Sequence, residues 1–210
     1  MERPPRPKAW FFVFAVVVLS GLLSISALYV YHDFTYEPLT PLYVRTASVY
    51  EGHIDRRFWI TEEAIRESAG SFIGKPVLLA HEKGNPYMSV GVVIKADIRY
   101  DEERELHYLE TIFKILDANA MQRIKNGLFN SLSISFELVK VTCTLDGTDM
   151  NTCKHDPGYR YSKNGRYVFA RGIVWGMFGR EISFVNVPAS KPARVLEWSH
   201  RLLELSTSSN

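Results

Sequence analysis

The stretch Asn130 to Phe136, NSLSISF, carries hydroxyls at Ser131, Ser133 and Ser135, with Leu132, Ile134 and Phe136 between and after them. Successive side chains of a strand point to opposite faces, so the three serines would share one face and the three large apolar groups the other. A serine hydroxyl is a weak nucleophile until a general base takes its proton, and histidine suits that task because it titrates near neutrality. A third, acidic group then holds the other ring nitrogen and stabilises the imidazolium. Two residues fit those places. His81 follows the apolar run KPVLLA and opens the loop HEKGNPY, while Glu181 lies near the start of REISFVNV. By alternation alone, the commoner meaning of such a serine face is a solvated one, with His81 a surface group and Glu181 a partner for Arg180.

A second group of reactive side chains lies in VTCTLDGTDMNTCKHDPGYRY, which holds Cys143 and Cys153, the two cysteines of the chain, and His155. Thiolates and imidazole are good zinc ligands, and a tetrahedral site needs a fourth ligand, from Asp146, Asp149 or Asp156. The competing reading is a Cys143–Cys153 disulfide, which would persist outside the cytoplasm. Either is structural, since the chain has no H-E-x-x-H and no cluster of three histidines. No cofactor is expected for catalysis.

These residues need elements to hold them. Short strands are expected at Ala47–Tyr50, near Trp59–Ile60 and at Lys75–Ala80, the last delivering His81. Val90–Ile98 and Leu106–Ile112 alternate as a pair of strands around the charged turn YDEERE. Thr61 followed by Glu62 and Glu63 reads as a capped helix closed by Gly70, and Asp117 as the cap of a helix to Lys125. The serine strand follows, residues 141–168 read as a loop insertion, Arg180–Val187 as the last strand, and residues 192–205 as a terminal helix. The expected fold is α+β, mainly β, with a few helices.

Lysine and arginine (25) nearly balance aspartate and glutamate (23), so no basic field argues for nucleic acid. From Trp10 to Tyr31 the chain is uncharged, long enough as a helix to cross a bilayer. Arg3, Arg6 and Lys8 precede it, and His32, Asp33 and Glu37 follow. The expectation is a single-pass anchor with its N-terminus in the cytoplasm and the domain outside it, a cleaved signal peptide being the alternative. The organisation is thus a basic N-terminus (1–9), a transmembrane helix (10–31), a linker (32–44), a domain (45–195) and a C-terminal helix and tail (196–210).

Across residues 45–195 the order ITEEAI, FIGKPVLLAHEKG, SVGVVI, IKNGLFNSLSISF and EISFVNVPAS resembles the phage prohead (capsid maturation) proteases, whose fold is related to the herpesvirus assemblins. The resemblance implies an assemblin-like β-barrel and a serine endopeptidase, with Ser133 as nucleophile, His81 as base and then acid, and Glu181 as orienting acid. Ser131 is the second choice for nucleophile, and the family commonly has glycine where this chain has Ser135. Some relatives carry a C-x-x-C…C-x-H insertion resembling a zinc knuckle; here Asp146 stands at the second position of that C-x-x-C. The implied substrate is a scaffold or capsid protein, or the enzyme itself, within an oligomer or a virion precursor. A membrane anchor is not part of the family pattern, so two alternatives stand beside this: a membrane-tethered cellular processing protease, and a catalytically silent membrane-anchored module.

Overall fold

The computed structural model describes residues 13–19, 22–28, 40–54 and 57–207. The chain divides into two units, Met1–Pro38 and Leu39–Asn210. In the first, β1 (Val13–Leu19) and β2 (Leu22–Leu28) pair antiparallel, Val13 opposite Leu28. At 13–19 and 22–28 this corrects the helix expected over 10–31, whose other residues lie outside the described ones, and among the described residues no helix is long and apolar enough to cross a membrane. An uncharged run rich in Val, Leu and Phe satisfies strand and helix alike, because periodicity cannot separate them.

The second unit is mainly β. Its strands are β3 (Leu42–Tyr50), β4 (Gly52–Ile54), β5 (Phe58–Ile60), β6 (Pro76–Leu79), β7 (Ser89–Asp101), β8 (Leu106–Ile115), β9 (Leu132–Cys143), β10 (Arg160–Lys163), β11 (Arg166–Phe169), β12 (Gly172–Phe184) and β13 (Arg194–Ser199). Helix α1 (Glu62–Ser68) lies between β5 and β6, α2 (Ala118–Lys125) between β8 and β9, and α3 (Leu202–Thr207) follows β13. Both expected caps form: the Thr61 hydroxyl accepts from Ala64 N–H at 3.1 Å and the Asp117 carboxylate from Ala120 N–H at 2.7 Å. A 3₁₀ turn carries the chain from Ala69 through Gly70 to Phe72, so the glycine does not end the helical segment.

Nine strands form one sheet in the order β13-β3-β8-β7-β6-β12-β5-β4, with β9 on β12. The sheet does not close by strand pairing, which corrects the expected barrel. Among the described residues its ends meet at the bridge Ser131–Arg194, where Leu132 N–H reaches Ala193 O at 3.4 Å and Val195 N–H reaches Asn130 O at 2.8 Å. Beyond that bridge β9 leaves β13 and follows β12 instead. At its far end Met150 N–H bonds Val141 O and Cys143 N–H bonds Thr148 O. Between those anchors no described strand pairs with the outer edge of β9.

Two further expectations are corrected. Residues 194–199 are a strand rather than part of a helix, because they cover the β3 edge, Arg194 opposite Ala47 and Ser199 opposite Tyr43. The expected loop contains the β10–β11 hairpin, turned by Asn164 and Gly165 at φ 53° and 75°. Asn-Gly is the pair such a tight turn requires.

The buried core runs through Val44, Ile65, Phe72, Leu109, Phe113, Leu132, Ile182 and Phe184. Gly179 lets β12 approach the helical segment, since a Cβ there would lie 2.6 Å from the Phe72 ring. Burying side chains of this size stabilises by about 1.5–3 kcal/mol each, which makes β12 and its neighbours a firm base for the residues they carry.

Candidate active site

Site residues rise from three adjacent strands. On β12, a bulge between Gly179 and Glu181 leaves Arg180 unmatched on β9, and the alternation restarts with Glu181 opposite Ser135, Ile182 opposite Ile134, Ser183 opposite Ser133 and Phe184 opposite Leu132. Directly opposed residues project to the same face. Ile182, Phe184, Ile134 and Leu132 therefore serve the core, while Glu181, Ser183, Ser133 and Ser135 gather on the other face. Bulges of this kind re-aim side chains beside functional sites.

His81 arrives from β6, which runs parallel to β12 with Leu79 beside Phe184. Ala80 and His81 then both take the left-handed conformation, at φ 51° and 60°. That conformation costs an L-residue of order 1–2 kcal/mol. Bonds to β12 hold it: Ala80 N–H donates to Phe184 O at 3.0 Å and His81 N–H to Ser183 Oγ at 3.1 Å. The turn brings His81 Nδ1 to 2.6 Å from Glu181 Oε1. The other carboxylate oxygen, Oε2, accepts from Ser183 Oγ at 2.6 Å, so both oxygens of a side chain only 2% exposed are satisfied. An ionised carboxylate only accepts, so His81 carries its proton on Nδ1 and keeps the lone pair of Nε2 free to act as a base. The ring is 36% exposed, and a reactant can reach it.

Ser133 faces Ser183 across the strand pair, is nearly buried, and its hydroxyl makes no hydrogen bond among the described residues. Ser131 lies further along, where its carbonyl accepts from Val185 N–H at 3.0 Å and it bridges to Arg194. Ser135 stands opposite Glu181, and its Oγ lies 2.6 Å from Lys83 Nζ. Lys83 and Ser135 line a cleft of about 560 Å³ together with Leu78, Phe136, Arg180 and Glu181.

Sequence reading singled out His81, Glu181 and the serines but missed Ser183 and Lys83. Ser183 was findable, being two residues beyond Glu181 and so on the same face of the strand. The approach of Lys83 depends on the turn at Ala80 and His81, which no motif announces.

In the insertion, one ligand atom from each of Cys143, Asp146, Cys153 and His155 lies within 4.8 Å of the others. His155 Nδ1 is 3.6 Å from Cys143 Sγ, 3.3 Å from Cys153 Sγ and 3.2 Å from Asp146 Oδ2, and Cys153 Sγ is 3.8 Å from the same carboxylate oxygen. Zinc bonds of about 2.0–2.3 Å in a tetrahedron set ligands roughly 3.3–3.8 Å apart, so the donor set fits four-coordinate zinc. The cysteines are not bonded to each other. Both sulfurs lie near His155 Nδ1, an arrangement that favours the metal reading over the disulfide one. Asp149 and Asp156 stand outside the cluster. Burial raises the Cys143 thiol above its usual value. At Cys153 burial also raises, but hydrogen bonds from the His155 N–H and from Cys143 outweigh it and lower the thiol. The Thr148 hydroxyl and N–H hold Asp146 down to about 2.

No family model matches the chain, and no curated protein or solved structure matches it either.

Proposed function

We propose that the chain is a serine endopeptidase of the prohead-maturation type, with an assemblin-like arrangement of its sheet. The observation that carries the proposal is the His81–Glu181 pair, held by a strained turn on one side of β12, with β9 and its Ser133 hydroxyl on the other. Ser133 Oγ attacks a peptide carbonyl carbon while His81 Nε2 takes its proton and Glu181 stabilises the imidazolium. The tetrahedral intermediate collapses with cleavage of the C–N bond, and His81 returns the proton to the departing amine. Water then attacks the acyl-enzyme, giving its proton to His81, and Ser133 regains a proton as the carboxylate product leaves. Ser183 is a positioning residue, holding both the His81 backbone and the Glu181 carboxylate.

The unpaired outer edge of β9 supports a polypeptide substrate, since an extended segment can add there through backbone hydrogen bonds. Scaffold or capsid protein, or the chain itself, is the substrate class. The uncharged run from Trp10 to Tyr31 supports action at a membrane. Cys143, Asp146, Cys153 and His155 would hold zinc as a cross-link within the insertion, away from the chemistry.

The test is mass spectrometry of the full chain in detergent after exposure to a fluorophosphonate. An adduct on Ser133 that disappears in His81→Ala is the expected result. Labelling at Ser131 moves the nucleophile, and absence of labelling in folded protein counts against the peptidase.

A further inference from the structure

A second concavity, of about 700 Å³, lies beside β3, β4 and β5. Its walls include Tyr50, Trp59, Leu106 and Pro192, which suit an apolar side chain. Two cations, Arg171 and Lys191, also line it. Neither makes an ion pair among the described residues. Arg171 Nε is buried without a hydrogen-bond partner among the described residues, and the guanidinium lies 5.9 Å from the centre of the Phe169 ring. The carboxylate of the groove, Glu51, is already engaged, accepting from His107 N–H at 2.6 Å with His107 Nδ1 at 3.0 Å. The groove is thus apolar with two cations against one carboxylate, and a buried N–H without a partner is a cost that an incoming acceptor relieves.

The groove also lies next to the cavity at Ser133. Ala189 and Ser190 line both it and the small cavity at Ser133, and Ser190 is fixed there because its Oγ accepts from Tyr50 N–H at 3.2 Å. We propose that this groove is the specificity subsite for a substrate segment that combines a bulky apolar side chain with a carboxylate. Arg171 is the fork that takes the carboxylate and Lys191 the outer charge that attracts it. The proposal rests on the peptidase reading for the identity of its occupant.

It is tested with full-length Ser133→Ala protein in detergent and two fluorescein-labelled peptides, alike except that one contains Phe-Glu-Leu-Glu and the other Phe-Gln-Leu-Gln. Fluorescence anisotropy should show the acidic peptide binding about tenfold tighter, the difference expected of one charge-assisted contact. Arg171→Gln should abolish that preference, and Lys191→Glu, at an exposed position that leaves the Arg171 guanidinium in place, should weaken it. Equal binding of the two peptides, or a preference that persists in both variants, overturns the proposal. Fluorophosphonate labelling of the wild type separates the two readings. Labelled Ser133 without an acidic preference sinks the subsite alone, whereas an Arg171-dependent preference without labelling sinks the peptidase and keeps the groove as a peptide-binding site.

Discussion

At the scale of single residues, Glu181 decides what His81 can do. Its two carboxylate oxygens are divided between the imidazole and Ser183, so the negative charge is buried yet fully hydrogen-bonded. Glu181→Gln keeps the shape but removes the charge, and its NH₂ group no longer requires a proton on Nδ1. Peptidase turnover should fall by about 10²–10⁴-fold, with the fold retained by circular dichroism. Ser183→Ala keeps the charge and removes two bonds, from the hydroxyl to Glu181 and from the His81 N–H to the hydroxyl. The expected outcome is a loss of roughly 1–3 kcal/mol in urea unfolding together with lower kcat at little-changed KM. If Ser183→Ala moves stability and leaves kcat alone, its positioning role is refuted.

The strained turn after β6 is a device of an element rather than of one side chain. Ala80 holds φ 51° although alanine disfavours it, and glycine would adopt it without the Cβ clash. Ala80→Gly should stabilise the fold by about 0.5–1 kcal/mol, the relieved strain exceeding the entropy glycine adds to the unfolded chain. Activity should nonetheless fall, because a softer turn holds His81 less firmly; unfolding and turnover measured on one preparation would reveal the opposite signs. Such turns explain where sequence reading stops. The alternation in NSLSISF and the capping residues Thr61 and Asp117 are local, and so they were legible. The strand at Arg194–Ser199 is fixed by the β3 edge it covers, and the β12 bulge by the fit of Gly179 against Phe72 and of Glu181 against His81. Those causes are far away in sequence. The Asn164-Gly165 turn is different, since its signal was local and was overlooked within a polar stretch.

For the whole molecule, the membrane and metal readings constrain each other. If the apolar run at 10–31 tethers the chain as proposed, full-length protein should stay with membranes through alkaline carbonate, while protein starting at residue 36 should be released; release of both would remove the membrane reading. If the domain lies outside the cytoplasm, two thiols this close face an oxidising compartment, where a disulfide is the ordinary end state. The four-ligand cluster supplies a reason for them to remain apart, because a metal-bound thiolate is withheld from exchange and its neighbours are already at ligand spacing. Protein exported to the bacterial periplasm should therefore carry about one zinc per chain by elemental analysis. Its cysteines should resist alkylation until a chelator is added, after which Cys143 and Cys153 should label together or oxidise to each other. Cys153→Ser should lose the metal and expose the 141–168 insertion to proteolysis while Ser133 still takes the fluorophosphonate, because the cluster braces the far end of β9 rather than the reacting end. A Cys143–Cys153 disulfide found by non-reducing peptide mapping of the freshly exported protein would end the zinc proposal and leave a covalent brace in its place.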